Sequence, residues 1–196
     1  MKTIYVFGVS GVGKTTILNN VIEKLQKKGK KIKYISFGTI MFEIGKELYN
    51  LKNRDDLRKL NKEEYYNLFY DSLEFIKKEI VESNCDFVFI DTHILIETRF
   101  GTFIGTPRKM VEKIKPEAVV VIDAPVSEII ERAKNDKTRK RDDLLDEEKL
   151  KKRLNLTLNT AFVVAYDSHA LFKEIVNKNG QLESAIREFL EFLNNL

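Results

Sequence analysis

Gly8-Val9-Ser10-Gly11-Val12-Gly13-Lys14-Thr15-Thr16 is the stretch on which the fold turns. A glycine, four open positions and then Gly-Lys-Thr is the spacing of a phosphate-binding loop. Gly8, Gly11 and Gly13 are expected to let the backbone turn through positive φ and approach an anion closely. The N–H groups of Val9, Ser10, Val12 and their neighbours can then cradle phosphate oxygens. Lys14 adds a positive charge beside the terminal phosphates, and Thr15 offers a hydroxyl to Mg²⁺. With Thr16, these residues open a helix whose positive dipole end faces the same phosphates. The loop therefore calls for a nucleoside triphosphate and says nothing yet of the acceptor.

The flanks supply the context that such a loop needs. Lys2 to Phe7 is β-branched and aromatic, as in a buried strand. Ile17, Leu18, Val21, Ile22 and Leu25 follow at helical spacing, and Gly29 stops the helix. Further on, strands are expected over 32–37, 86–90, 118–122 and 171–176. A helix capped by Thr39 carries Met41, Ile44 and Leu48 on one face, with Gly38 breaking the strand before it. Longer helices are expected over about 62–82, 126–135 and 146–168, with another at the C-terminus. Residues 94–103 look extended, broken at Gly101. Strands alternating with helices predict an α/β fold: about five parallel strands in three layers, with helices on both faces. Asp91 ends the apolar run Phe87-Val88-Phe89-Ile90, and so is expected to face the ligand crevice at the carboxyl end of a central strand.

The 196 residues suit a single domain, with one helical insertion over about 38–84 and a short polar segment over about 136–145. A net charge of +4 leaves room for phosphate binding and gives no reason to expect nucleic acid as the main partner. Cys85 is the single cysteine, which excludes an internal disulfide framework and suits a reducing compartment. With no apolar stretch long enough to span a bilayer and no leader before the first strand, a cytoplasmic protein without membrane contact is expected.

Three classes of protein share such a loop. A GTPase needs Asn-Lys-x-Asp, and Asn177-Lys178-Asn179-Gly180 lacks the aspartate. A remodelling ATPase is usually larger. A small-molecule kinase needs a helical insertion for its acceptor and arginines that close on the phosphates. Thr138-Arg139-Lys140-Arg141-Asp142 supplies such arginines, since planar guanidinium groups clamp phosphate bidentately. Phosphoryl transfer is mostly positioning and charge neutralisation, so Lys14, Arg139 and Arg141 are the catalytic candidates.

Several blocks together resemble the archaeal adenylate kinases, the short-lid form of the nucleoside monophosphate kinases that is typically trimeric. They are the loop at 8–16, Phe37-Gly38-Thr39-Ile40-Met41-Phe42-Glu43, Arg54-Asp55-Asp56-Leu57-Arg58-Lys59-Leu60, Asp91-Thr92-His93, Gly105-Thr106-Pro107 and the arginine block at 138–142. They occur in the family's order across nearly the whole chain. The resemblance implies reversible transfer from Mg·ATP to AMP, giving two ADP, by a homotrimer. It places Gly38, Thr39, Arg54 and Arg58 at the AMP site and has Asp91 orient Mg²⁺ through water. Arg108 departs from the archaeal pattern and resembles the Gly-x-Pro-Arg of bacterial-type relatives, where the arginine binds the AMP phosphate. A kinase for CMP, UMP or dTMP, or a nucleotide-gated RNA-binding or assembly ATPase, remains an alternative reading of the same residues.

Overall fold

A computed structural model describes residues 1–98, 100–136 and 142–196. Its elements are β1 (Lys2–Phe7), α1 (Lys14–Lys27), β2 (Ile32–Ser36), α2 (Phe37–Tyr49), α3 (Lys62–Val81), β3 (Phe87–Asp91), β4 (Leu95–Thr98) and β5 (Gly101–Ile104). They continue with α4 (Arg108–Lys113), β6 (Ala118–Asp123), α5 (Val126–Asn135), α6 (Glu147–Ser168), β7 (Leu171–Val176) and α7 (Leu182–Asn194). Five strands form one parallel sheet in the order β2-β3-β1-β6-β7. β1 lies at its centre, so the loop that follows β1 opens in the middle of the sheet's carboxyl edge.

Both faces of β1 are apolar because helices cover both. Tyr5 and Phe7 pack with Phe37, Met41, Leu68 and Phe69 of α2 and α3 on one side. Ile4 and Val6 pack with Ile17, Leu18, Ile129 and Phe189 of α1, α5 and α7 on the other. α6 serves both layers: Leu150 and Leu154 enter the second core, Ala161 and Val164 the first. The three-layer α/β architecture is the one the sequence calls for. Among the described residues no helix is long and apolar enough to cross a membrane.

Three local expectations are corrected. The second strand stops at Ser36, and Phe37 and Gly38 lie inside α2, whose N-cap residue is Ser36. Burial of Phe37 against Phe69, with ring centroids 4.7 Å apart, draws Phe37 into the helix layer. Thr39 is therefore not the cap; its hydroxyl is hydrogen-bonded with that of Ser36 at 2.9 Å. Leu48 is 57% exposed, because the buried face of α2 runs Phe37, Met41, Gly45 and the helix has passed the core by its last turn. Residues 94–103 are extended as expected, in an antiparallel hairpin that pairs Ile96 with Phe103.

Candidate active site

The phosphate loop joins β1 to α1, and Gly13 in the left-handed region caps the helix at φ 87°. Gly11 is left-handed as well, at φ 91°, but Gly8 is not. Gly8 is needed for space: a Cβ there would stand 2.7 Å from the carbonyl oxygen of Ile122 on β6. The loop's carbonyls are held from behind. Asn177 Nδ2 donates to Val12 O at 2.8 Å, and Arg132 Nη1 reaches Val12 O and Gly11 O at 3.3 and 3.4 Å. Arg132 is itself fixed by an ion pair to Glu128 at 2.9 Å and by Asn179 Oδ1 at 2.7 Å. His93 donates through Nδ1 to Gly8 O at 3.2 Å. Donors on the carbonyl side preorganise the loop as an anion-binding nest before any phosphate arrives.

Lys14 and Asp91 form an ion pair at the foot of this nest, 8% and 7% exposed. Tyr34 donates to the other carboxylate oxygen of Asp91 at 2.8 Å. Asp91 is thus placed at a central strand end as expected, and its nearest work is to aim Lys14. Burial pushes the Lys14 ammonium down to about 7, and the charge of Arg54 adds to that; the facing Asp91 carboxylate works the other way. His93 is pushed down to about 3, by burial first and then by Lys14 and Arg54. It is therefore neutral near pH 7, with its Nδ1 proton committed to Gly8 O, and carries no charge into the cleft.

The cleft in front of the loop is lined by Gly8, Val9 and Ser10 on one wall and by Gly38, Arg54 and Arg58 on the other. Both arginines come from a short 3₁₀ turn over 54–59. It starts from a reciprocal cap, in which Asn53 Oδ1 accepts from Asp55 N and Asp56 Oδ2 from Asn53 N. The guanidinium of Arg54 lies directly on Gly38, where a Cβ would collide with Nη2. Gly38→Ala should therefore separate two effects. Alanine favours a helix by about 0.5–1 kcal/mol, so the melting temperature should hold or rise, while displacement of Arg54 should raise KM for the acceptor several-fold. Titration of both substrates checks it; an unchanged acceptor KM would remove Arg54 from the site.

Arg153, which sequence reading missed, also lines this cleft. It projects from α6 and is gripped by two carboxylates. Its Nε donates to Glu97 Oε1 at 2.9 Å and its Nη1 to Asp143 Oδ2 at 3.1 Å, with Nη2 paired to Glu97 as well. In sequence it is one of three successive basic residues on a helix and looks like solvated surface. Arg132 and Asn177 were missed for the same reason, since nothing local marks them as supports of a loop more than a hundred residues away.

Arg108 is not brought to the cleft. Its side chain is 85% exposed and lies along α4 to Glu112, Nε to Oε1 3.1 Å, beside a separate groove between α4 and α6. The cause is local: Arg108 and Glu112 are one turn apart on α4 and pair along the helix surface. Thr39 is exposed and engaged with Ser36, away from the cleft lining. Thr15 and Thr16 are exposed at the head of α1. Arg139 and Arg141 lie outside the described residues.

Known proteins resemble this chain in sequence and in fold. A family model described as an AAA domain matches residues 7–151. Over 193 residues the chain is 35% identical to the adenylate kinase of Methanocaldococcus jannaschii, covering 98% of each. It is 33% identical over 190 residues to that of Sulfurisphaera tokodaii, covering 97% of this chain and 98% of the relative. It is 34% identical over 193 residues to that of Pyrococcus horikoshii, covering 97% and 94%. Among solved structures, a shikimate kinase from Bacteroides thetaiotaomicron superposes with a TM-score of 0.61 at 16% identity, covering 98% of both chains, a likeness of fold alone.

Proposed function

The chain belongs to the adenylate kinase family and is a phosphotransferase acting on a nucleoside monophosphate; from that premise we propose how its own residues carry the reaction. The donor is Mg·ATP and the acceptor AMP, with two ADP as products. The preorganised nest at 8–16 holds the β- and γ-phosphates, and Lys14 meets the charge that develops on the transferred group. Arg54 and Arg58, within the acceptor-binding insertion over about 38–84, take the AMP phosphate. Arg153 approaches from α6 toward the same space. Arg139 and Arg141, in a lid over about 136–145 of this single domain, add charge on closure. The acceptor oxygens are already ionised near pH 7, so no residue need remove a proton, which agrees with a His93 held neutral.

A magnesium ion suits this donor set. Among the described residues no three or more carboxylate, histidine or cysteine side chains cluster into a metal cage. Asp91 is engaged by Lys14 and Tyr34, and the Thr15 hydroxyl stands exposed at the head of α1. That arrangement fits a hard cation held mostly by phosphate and water, with Thr15 as a direct ligand and Asp91 acting through water. Held there by Thr15 and, through water, by Asp91, such an ion would supply neutralisation of phosphate charge. A homotrimer in the cytoplasm completes the reading. Exposed Phe162, Val163 and Tyr166 on α6 offer the apolar surface such an assembly needs, and the mass in solution decides between one chain and three.

The observation that carries the proposal is that Arg54 and Arg58 line one cleft with the phosphate loop's Gly8, Val9 and Ser10, and that Arg54 acts electrostatically on the loop's Lys14. The test offers AMP, CMP, UMP and dTMP separately with Mg·ATP and measures ADP. Strong transfer to AMP alone is expected. Preference for another monophosphate overturns the acceptor, and ATP binding without transfer to any of them overturns the reaction in favour of a nucleotide-gated binding protein.

A further inference from the structure

We propose that the hydroxyl of Tyr65 reads the base edge of the acceptor nucleotide. The proposal rests on the reaction assigned above and deepens it. Tyr65, on α3, is 1% exposed and lines the same cleft wall as Gly38, Arg54 and Arg58. Met41, Leu57 and Ile94 line the cleft around it, an apolar surface suited to the flat of a base.

The hydroxyl is the anomaly. It is shut away from water and has no hydrogen-bond partner, one of two such hydroxyls among the described residues. Leaving a buried hydroxyl without a partner forfeits the hydrogen bonds it made to water in the unfolded chain. Elsewhere the fold avoids that cost: Tyr5, equally buried, donates to Ile114 O at 2.5 Å. Phenylalanine would serve packing as well at position 65, since the ring's neighbours include Phe69 and Phe103. The ring is packed among other aromatics: it stacks on Phe103 with centroids 4.3 Å apart and meets Tyr66 edge-on at 5.3 Å. Burial pushes the phenol's pKa far above its ordinary range, so it remains a neutral O–H. A neutral hydroxyl can donate to a ring nitrogen or accept from an exocyclic amine, the two polar groups an adenine edge presents.

The second orphan, Thr106 Oγ1, lies by the groove between α4 and α6, where no cationic cluster beyond Arg108 and Lys115 accompanies it. Tyr65 differs in sharing its cleft with the phosphate-binding arginines.

The test is Tyr65→Phe in the full chain, with KM measured for AMP, for purine riboside 5′-monophosphate (which lacks the amine) and for ATP. The expected result is a rise of about three- to tenfold in KM for AMP, the worth of one hydrogen bond, with KM for ATP unchanged and the melting temperature unchanged or higher. If the hydroxyl accepts from the amine, the advantage of AMP over purine riboside monophosphate disappears in the variant. If it donates to a ring nitrogen, both KM values rise together. An unchanged KM for AMP overturns the proposal, as does a parallel rise in KM for ATP, which would mean that the hydroxyl merely supports the cleft. Absence of AMP phosphorylation by the unmodified protein would instead overturn the reaction itself.

Discussion

Lys14→Ala is expected to lower turnover by at least about 10²–10³-fold, the cost of removing one preorganised charge from a developing anion. The structure adds a second consequence. Lys14 faces Asp91 in a buried pair, so the variant leaves the carboxylate hydrogen-bonded to Tyr34 but without its ammonium partner. Breaking such a pair from one side costs about 3–5 kcal/mol, and a lower melting temperature should accompany the lost activity. The two effects separate in the double variant Lys14→Ala, Asp91→Asn. An amide has no charge to strand, so stability should recover in large part while turnover stays low. Turnover and melting curves on the same preparations check this. Near-normal turnover in the single variant would falsify the role given to Lys14. Recovery of activity in the double variant would mean that the lysine matters only as a counter-ion.

Arg153→Ala should lower kcat by about 10²-fold or more, with little change in KM for ATP, if the guanidinium meets charge on the group in flight. Glu97 and Asp143 grip it from two sides, which fixes the plane of the guanidinium and not merely the position of a charge. Arg153→Lys should therefore rescue poorly, because an ammonium cannot reproduce the fork. Arg108→Ala is the matched control. It removes an arginine that is paired with Glu112 outside the cleft, and it should leave both kcat and KM for AMP within about twofold. Steady-state kinetics on the three variants tests the set. A full-strength Arg153→Ala enzyme, or an Arg108→Ala enzyme with weakened AMP use, would reverse the assignment of the two arginines.

That contrast marks where reading the chain stops. Arg108 follows a Gly-x-Pro motif and drew attention, while Arg153 ends a basic run on a helix and drew none. Which arginine reaches the phosphates depends on how α4 and α6 cross the sheet, and neither crossing is written in the spacing of nearby residues. Likewise the helix is capped at Ser36 and not at Thr39, because Phe37 is β-prone by type and is drawn into the helix layer by its contact with Phe69.

By itself the sequence determined what short-range physics controls. The glycine spacing of 8–16, the largely apolar strands and the helical periodicities between them specify a phosphate loop on a covered parallel sheet, because each of these signals is local in the chain. Tertiary structure alone decided the rest: that Asn177 and Arg132 brace the loop, that Asp91 aims Lys14, and that Arg153 and Tyr65 share a cleft with Arg54. Apart from Tyr65 and Arg54, which are near in sequence, these partners stand far apart along the chain. They meet only because β3, β1 and β6 are neighbours at the centre of the sheet and end at the same edge, a consequence of long-range packing that no local pattern encodes.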